Sequence, residues 1–113
     1  MAANNIIKHE PIEERFREQC NHPLLTNDQV IELAQRIKDG DNDARKKLYQ
    51  CNFRFVISVA RQYKDKGYTI EELISFGNKG LERAALKYTK EKDFGFLPYA
   101  LYFIREEIKS KLT

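Results

Sequence analysis

The residues best equipped for chemistry lie near the C-terminal end. On a helix advancing about 100° per residue, Tyr99, Tyr102, Glu106 and Lys109 share one face, while Ala100, Ile104, Ile108 and Lys111 share another. The apolar stripe therefore leaves two tyrosines outside it, beside Arg105 and Lys109 and shortly after Phe94 and Phe96. Rings on such a face stack on unpaired nucleic-acid bases, and neighbouring cations meet phosphates. The same rings could instead cover a neighbouring helix, and the residues alone leave both readings open.

Other chemistry is thinly represented. The two histidines, His9 and His22, sit in the polar N-terminal part. Cys20-Asn21-His22 lacks the ligand spacing of a zinc site, and Cys51 stands alone on an apolar stripe, as a buried structural thiol does. Neither a phosphate-cradling glycine loop nor a zincin or nucleophile-elbow motif is present. Glu71–Glu72 and Glu106–Glu107 are adjacent pairs, and adjacent helical residues do not face each other as a catalytic dyad must. The expectation is a protein that is not an enzyme and uses no metal, cofactor or small-molecule substrate.

The elements that must position these residues read as helices. Thr26-Asn27-Asp28-Gln29 forms a capping box, followed by Val30, Leu33, Ala34 and Ile37 on one face and a stop at Gly40. Asp41 caps a second helix whose apolar stripe runs from Leu48 through Cys51, Phe55, Val56, Val59 and Ala60 to Tyr63, with Gly67 as its stop. Thr69-Ile70-Glu71-Glu72 is a second capping box, opening a helix that runs to about Tyr88. Gly77 and Gly80 inside it cost about 1 kcal/mol each relative to alanine, and close approach of another helix is a plausible return. The last helix begins near Pro98, a favoured first-turn position. Upstream, Pro11 to Cys20 forms a short helix with Ile12, Phe16 and Cys20 inward.

The expected fold is therefore all-α: a helical bundle of four main helices plus a short N-terminal one. Residues 1–9 are expected as a disordered tail and residues 10–113 as one domain. The chain has 113 residues, enough for a single modest core. It carries few turn formers (Gly 5, Pro 3), against a β sandwich or barrel. No apolar run reaches the length of a membrane span or a signal peptide, and two cysteines make no disulfide framework, so the cytoplasm is the expected compartment.

The net charge of +3 is small, but its distribution is uneven. Residues 36–66 carry nine bases and four acids, residues 67–78 only Glu71 and Glu72, and residues 79–113 eight bases and five acids. Such blocks suit separate partners, nucleic acid on one side and protein on another, or simply a solvated surface of mixed charge.

These residues resemble the primary-type sigma factors of bacterial RNA polymerase, over part of the family's first conserved region and its second, from about Glu10 to Leu112. Glu10-Pro11-Ile12 and Pro23-Leu24-Leu25-Thr26 resemble the acidic-Pro-aliphatic and Pro-Leu-Leu-Thr elements. Leu33-Ala34-Gln35-Arg36-Ile37 followed by Gly40-Asp41 resembles the first conserved segment. Asn52-Phe53-Arg54-Phe55-Val56-Ile57-Ser58-Val59-Ala60 is similar to an Asn-Leu-Arg-Leu-Val-Val-Ser-Ile-Ala helix. Leu73-Ile74, Gly77-Asn78 and Gly80-Leu81 resemble the Asp-Leu-Ile-x-x-Gly-Asn-x-Gly-Leu element. Phe94, Phe96, Tyr99-Ala100 and Ile104-Arg105 resemble the promoter-reading segment.

The resemblance implies a domain that docks on the clamp helices of the polymerase largest subunit and holds the non-template single strand of the −10 promoter element. Carried over, Glu72, Ser75, Phe76, Asn78 and Glu82 stand at polymerase-binding positions, and Phe94, Phe96, Tyr99, Tyr102, Phe103, Arg105, Glu106 and Lys109 at DNA-binding ones. The sequence departs from the pattern at several of these. Ser75 and Phe76 replace a polar–acidic pair, and Glu82 an apolar residue. Tyr102 and Phe103 replace two tryptophans, Glu106 a glutamine, and Leu97-Pro98 a Ser-Thr helix start. The expected partners are core polymerase, promoter DNA and an anti-sigma regulator. The alternative expectation is a sigma-like interaction module that competes for polymerase or a sigma regulator without reading promoters.

Overall fold

In the computed structural model, Phe16, residues 19–89 and residues 94–112 are described. Among them are five α-helices: α1 (Asn27–Lys38), α2 (Asn42–Cys51), α3 (Phe53–Ala60), α4 (Ile70–Lys87) and α5 (Phe96–Leu112). Short 3-10 turns occupy Gln19–Asn21 and Arg61–Tyr63, and no described residue lies in a strand. The all-α architecture is as expected. The proposed tail at residues 1–9 and Ile12 lie outside the described residues. Most of the short N-terminal helix expected over Pro11 to Cys20 lies outside them too, but Phe16 and Cys20, two of its three inward residues, are described and both pack against the core. The Phe16 carbonyl accepts from the Cys20 amide at 3.2 Å, and its ring meets Phe53 with centroids 5.4 Å apart.

Both capping boxes form. Thr26 accepts from the Gln29 amide while Gln29 returns to the Thr26 amide, and Thr69 and Glu72 do the same for α4. Asp41 caps α2 by accepting from the amides of Asp43 and Ala44. Its other oxygen takes Arg36 Nε at 2.9 Å, and that bond is the main cause holding the Asp41 carboxyl below its ordinary range. Gly40, at φ +88°, closes the corner between α1 and α2 in a conformation that a side chain disfavours.

The second helix of the sequence reading is two helices. An apolar stripe at helical spacing crosses Asn52, but the chain breaks there. Asn52 is buried, and its side-chain amide donates to the Leu48 carbonyl at 3.0 Å. Its backbone N–H turns instead to the Tyr49 carbonyl, while its own carbonyl accepts from Phe55 and Val56 to start α3. A side chain that bonds the carbonyl four residues back competes with the helix ladder. Regular α-helix then ends at Ala60, ahead of Gly67, whose φ of +101° lies in the loop before α4.

The core is built around α4, which packs on every other helix and most extensively on α5. Val30 and Leu33 of α1, Leu48 of α2, Val56 and Ile57 of α3, Leu73 and Leu81 of α4 and Ile104 and Ile108 of α5 are all buried. Cys51 is buried with them as a free thiol. The two helical glycines occupy the crossing. A Cβ on Gly80 would lie 2.4 Å from the Phe103 carbonyl oxygen and 2.8 Å from Ile104 Cα. A Cβ on Gly77 would lie 2.7 Å from Val56 Cγ1 and 3.3 Å from Ile104 Cγ2. The glycines thus admit a close helix–helix approach, as the sequence suggests. No helix among the described residues is long and apolar enough to cross a membrane.

Candidate nucleic-acid interface

The end of α4 and the first half of α5 bring six aromatic rings into one connected cluster. Tyr88, the residue that ends α4, is buried and sits edge-on to Phe96, centroids 5.3 Å apart. Tyr99 meets Tyr88 at 5.8 Å, Phe94 at 5.4 Å and Phe103 at 5.0 Å. Phe103 in turn meets Tyr102 edge-on at 5.5 Å. Tilted and edge-to-face contacts at these separations are the favoured geometries for such rings.

The cluster has an inner and an outer side. Phe96 is 4% exposed, so its ring faces the core and offers no open face. Tyr99 and Phe103 are half-buried. Phe94 and Tyr102 are the open rings, 46% and 60% exposed. The Tyr88 hydroxyl donates to the Phe94 carbonyl at 2.7 Å, fixing the backbone just ahead of α5. At the first turn the Phe96 amide donates to Asn27 Oδ1 of α1 at 3.1 Å. Pro98, expected to open the helix, lies in this turn, where its missing N–H breaks no ladder bond.

Charge borders the rings. Lys87 places its ammonium 5.4 Å from the Phe103 ring centroid, a cation–π contact that the sequence reading missed. Arg105 is half-buried and Lys109 exposed, with Lys109 Nζ 3.6 Å from Glu106 Oε2. Glu107 pairs with Arg83 of α4 at 2.7 Å. The two tyrosines singled out from periodicity, Tyr99 and Tyr102, thus lie on one partly open aromatic face, joined through Phe103, with the Lys87 cation at its margin.

The second candidate set lies on α4. Glu72, Ser75 and Glu82 follow one stripe of that helix, with Lys79 between them. Glu72 is exposed, and its side chain accepts from the Thr69 amide. Ser75 is exposed, whereas Phe76 packs edge-on against Tyr68 at 5.1 Å, with Lys111 Nζ 5.9 Å from its centroid. Tyr68 also donates its hydroxyl to the Lys111 carbonyl, tying the loop before α4 to the end of α5. Asn78 Oδ1 is buried with no hydrogen-bond partner among the described residues. Glu82 turns inward: Oε1 accepts from Arg45 Nε at 2.8 Å and from the Tyr49 hydroxyl at 2.6 Å. Burial, then this bond, push the Tyr49 phenol well up from its ordinary value. Tyr49, Lys79, Glu82, Arg83 and Glu107 line a shallow cleft of about 470 Å³. Among the described residues no cluster of histidine, cysteine or carboxylate side chains could hold a metal ion.

Comparison with known proteins gives the chain its family. A family described as Sigma-70 region 2 matches residues 48–113, which contain both α4 and α5. RNA polymerase sigma factor SigA of Clostridium acetobutylicum is 42% identical over 99 residues, covering 88% of this chain and 26% of that protein. SigA of Listeria monocytogenes is 38% identical over 100 residues, 88% of this chain and 27% of the relative. RNA polymerase sigma factor RpoS of Coxiella burnetii is 36% identical over 100 residues, 88% of this chain and 28% of the relative. The chain spans about a quarter of the length of these curated relatives. With this family matched over more than half of the chain and relatives 36–42% identical over 88% of it, the chain belongs to the sigma-70 family and carries that family's region 2.

Proposed function

We propose that this domain binds core RNA polymerase and the non-template single strand of the −10 promoter element during transcription initiation. The observation that carries the reading is the aromatic face. Tyr102 and Phe94 present open rings, with Tyr99 and Phe103 packed directly behind them and Lys87, Arg105 and Lys109 at the margin. Rings held by other rings meet a base without first losing side-chain freedom, and cations at the edge of the face suit phosphates. Phe96 supports the face from beneath. Glu106 accepts from the cytosine amino group where a base edge reaches it.

Polymerase docking is assigned to the outer stripe of α4, through Glu72, Ser75, Lys79 and the exposed part of Asn78, on the clamp helices of the largest subunit. Phe76 contributes its ring beside Tyr68. Residues 10–113 act as one domain in this reading, and its compartment is the cytoplasm.

Titrating core polymerase, and separately its isolated clamp helices, with the 113-residue chain tests the first half. No association at micromolar protein with either would overturn it. For the second half, Tyr102→Ala loses about 1–3 kcal/mol of binding to a −10 non-template oligonucleotide in the presence of polymerase. Unchanged affinity would leave that ring without a role in strand binding. Affinity also falls with added salt, modestly, because few cations border the face.

A second reading is favoured by one observation, the carboxylates at these surfaces. Glu106 lies beside Lys109, and Glu82 is held within the cleft. On that reading the domain engages polymerase or an anti-sigma regulator and reads no promoter. Polymerase binding without transcription from any −10-bearing template selects it.

A further inference from the structure

The first turn of a helix leaves amides with no carbonyl in the helix to bond, and α5 draws one partner from far along the chain. No side chain from Phe94 to Pro98 carries a hydrogen-bond acceptor. The acceptor arrives from 69 residues away, where Asn27 Oδ1 takes the Phe96 amide at 3.1 Å. Asn27 is the first residue of α1, and the capping box between Thr26 and Gln29 fixes the backbone that carries it. That box already serves α1, so the Asn27 acceptor is left for another helix.

We propose that Asn27 is the N-terminal cap of α5, supplied by α1, and a positioning residue for the aromatic face. The inference rests on the strand-binding reading above. Two polar ties bracket Gly95: the Tyr88 hydroxyl holds the Phe94 carbonyl, and Asn27 holds the Phe96 amide. Phe94 and Tyr99 flank the tied turn and pack on each other, whereas Tyr102 lies almost a full turn further along. Fraying at Phe96 therefore shifts Phe94 and Tyr99 against Tyr102 and spoils the shared face that a strand would meet. Because the cap belongs to α1, the ring geometry depends on that helix staying docked.

The test follows three quantities in the full chain: hydrogen exchange at the Phe96 amide, ring-proton shifts of Tyr99, and affinity for a −10 non-template oligonucleotide with core polymerase. Asn27→Ala speeds Phe96 exchange, moves the Tyr99 shifts and weakens oligonucleotide binding by roughly 3- to 10-fold, the size expected for loss of a cap. Asn27→Asp keeps the acceptor and stays near wild type in all three. Asn27→Ala combined with Gly95→Ser supplies a hydroxyl at the helix's own entry and restores affinity. There is room for it, since a Cβ at 95 meets nothing nearer than Pro98 Cδ at 3.9 Å. If Asn27→Ala does not fold, Asn27→Gln, with its amide displaced by one methylene, serves in its place. Wild-type ring shifts and affinity in Asn27→Ala would overturn the proposal, as would an aspartate variant as impaired as the alanine one. If the unmutated chain binds no oligonucleotide, the strand-binding reading fails by itself, and exchange and ring shifts still decide the cap.

Discussion

The Tyr49 hydroxyl donates to Glu82 Oε1 at 2.6 Å, joining α2 to α4 through an oxygen that Arg45 Nε also reaches at 2.8 Å. One carboxylate oxygen thus serves two donors on a neighbouring helix. Tyr49→Phe removes one of them and lowers stability by about 1 kcal/mol. Glu82→Ala does more harm, because it strands both donors. Urea denaturation of the two variants and their double mutant checks this, with the double mutant less destabilised than additivity requires.

The same phenol sets an alkaline limit. Burial first, then the bond to Glu82, raise Tyr49 above the ordinary tyrosine value of 10.0. The protonated phenol is the form the fold favours, so its contribution is fully present below pH 10.0 and is lost as pH rises toward the folded value. An ultraviolet absorbance titration of the folded chain should show a late-ionising tyrosine, absent in Tyr49→Phe.

The acid limit has the opposite sign. Asp41 is lowered from 3.8, chiefly by its hydrogen bond from Arg36 and then by the Ala44 amide. Its contribution is present above pH 3.8 and is lost as pH falls through the lowered folded value. Asp41→Asn keeps a capping oxygen but removes the charge, and its stability profile should be flatter across that acid range than that of wild type.

The two helical glycines should differ in what alanine costs. At Gly80 the added Cβ meets backbone atoms of α5, which only a shift of the helix relieves. Gly80→Ala should lose about 1–3 kcal/mol, the usual range for overpacking. At Gly77 the nearest obstacle is a valine methyl, so Gly77→Ala should cost less. Thermal denaturation of both variants ranks them, and a reversed order would place the tight crossing elsewhere.

Tyr99 and Tyr102 should separate packing from surface. Tyr99 touches the rings of Tyr88, Phe94 and Phe103, so Tyr99→Ala lowers the melting temperature. Tyr102 is 60% exposed, so Tyr102→Ala leaves the melting temperature nearly unchanged. Calorimetry of the two variants without DNA tests this independently of any binding.

Features written within a few residues were legible in the sequence. Thr26 with Gln29 and Thr69 with Glu72 announce their helices because each box closes over three residues. Periodicity alone set Tyr99 and Tyr102 apart from the apolar stripe of α5. The break at Asn52 was not legible, since Leu48, Val56 and Val59 keep helical spacing straight through it and a single side-chain amide ends the ladder. Nor were the burial of Phe96, the ammonium of Lys87 over Phe103, or Asn27 at the start of α5. Each depends on how α1, α4 and α5 lie against one another, which no local pattern encodes. Glu82 shows the same limit: its place on the outward stripe of α4 gave no sign of Arg45 and Tyr49, more than thirty positions earlier in the chain.

The glycine at 80 has a mechanical meaning. It lies directly beneath the Phe103 carbonyl, and the ring of that same Phe103 stands in the aromatic face. No layer of side chains cushions α4 from α5 at this point, so the two helices meet backbone to backbone, with Arg83 and Lys87 of α4 reaching across to Glu107 and the Phe103 ring of α5. A push on either helix is passed through backbone touching backbone, and the spacing between them is set by atomic radii rather than by rotamers. Whatever displaces α4 at this point displaces the Phe103 backbone with it, and so the Tyr99 and Tyr102 rings that pack on Phe103.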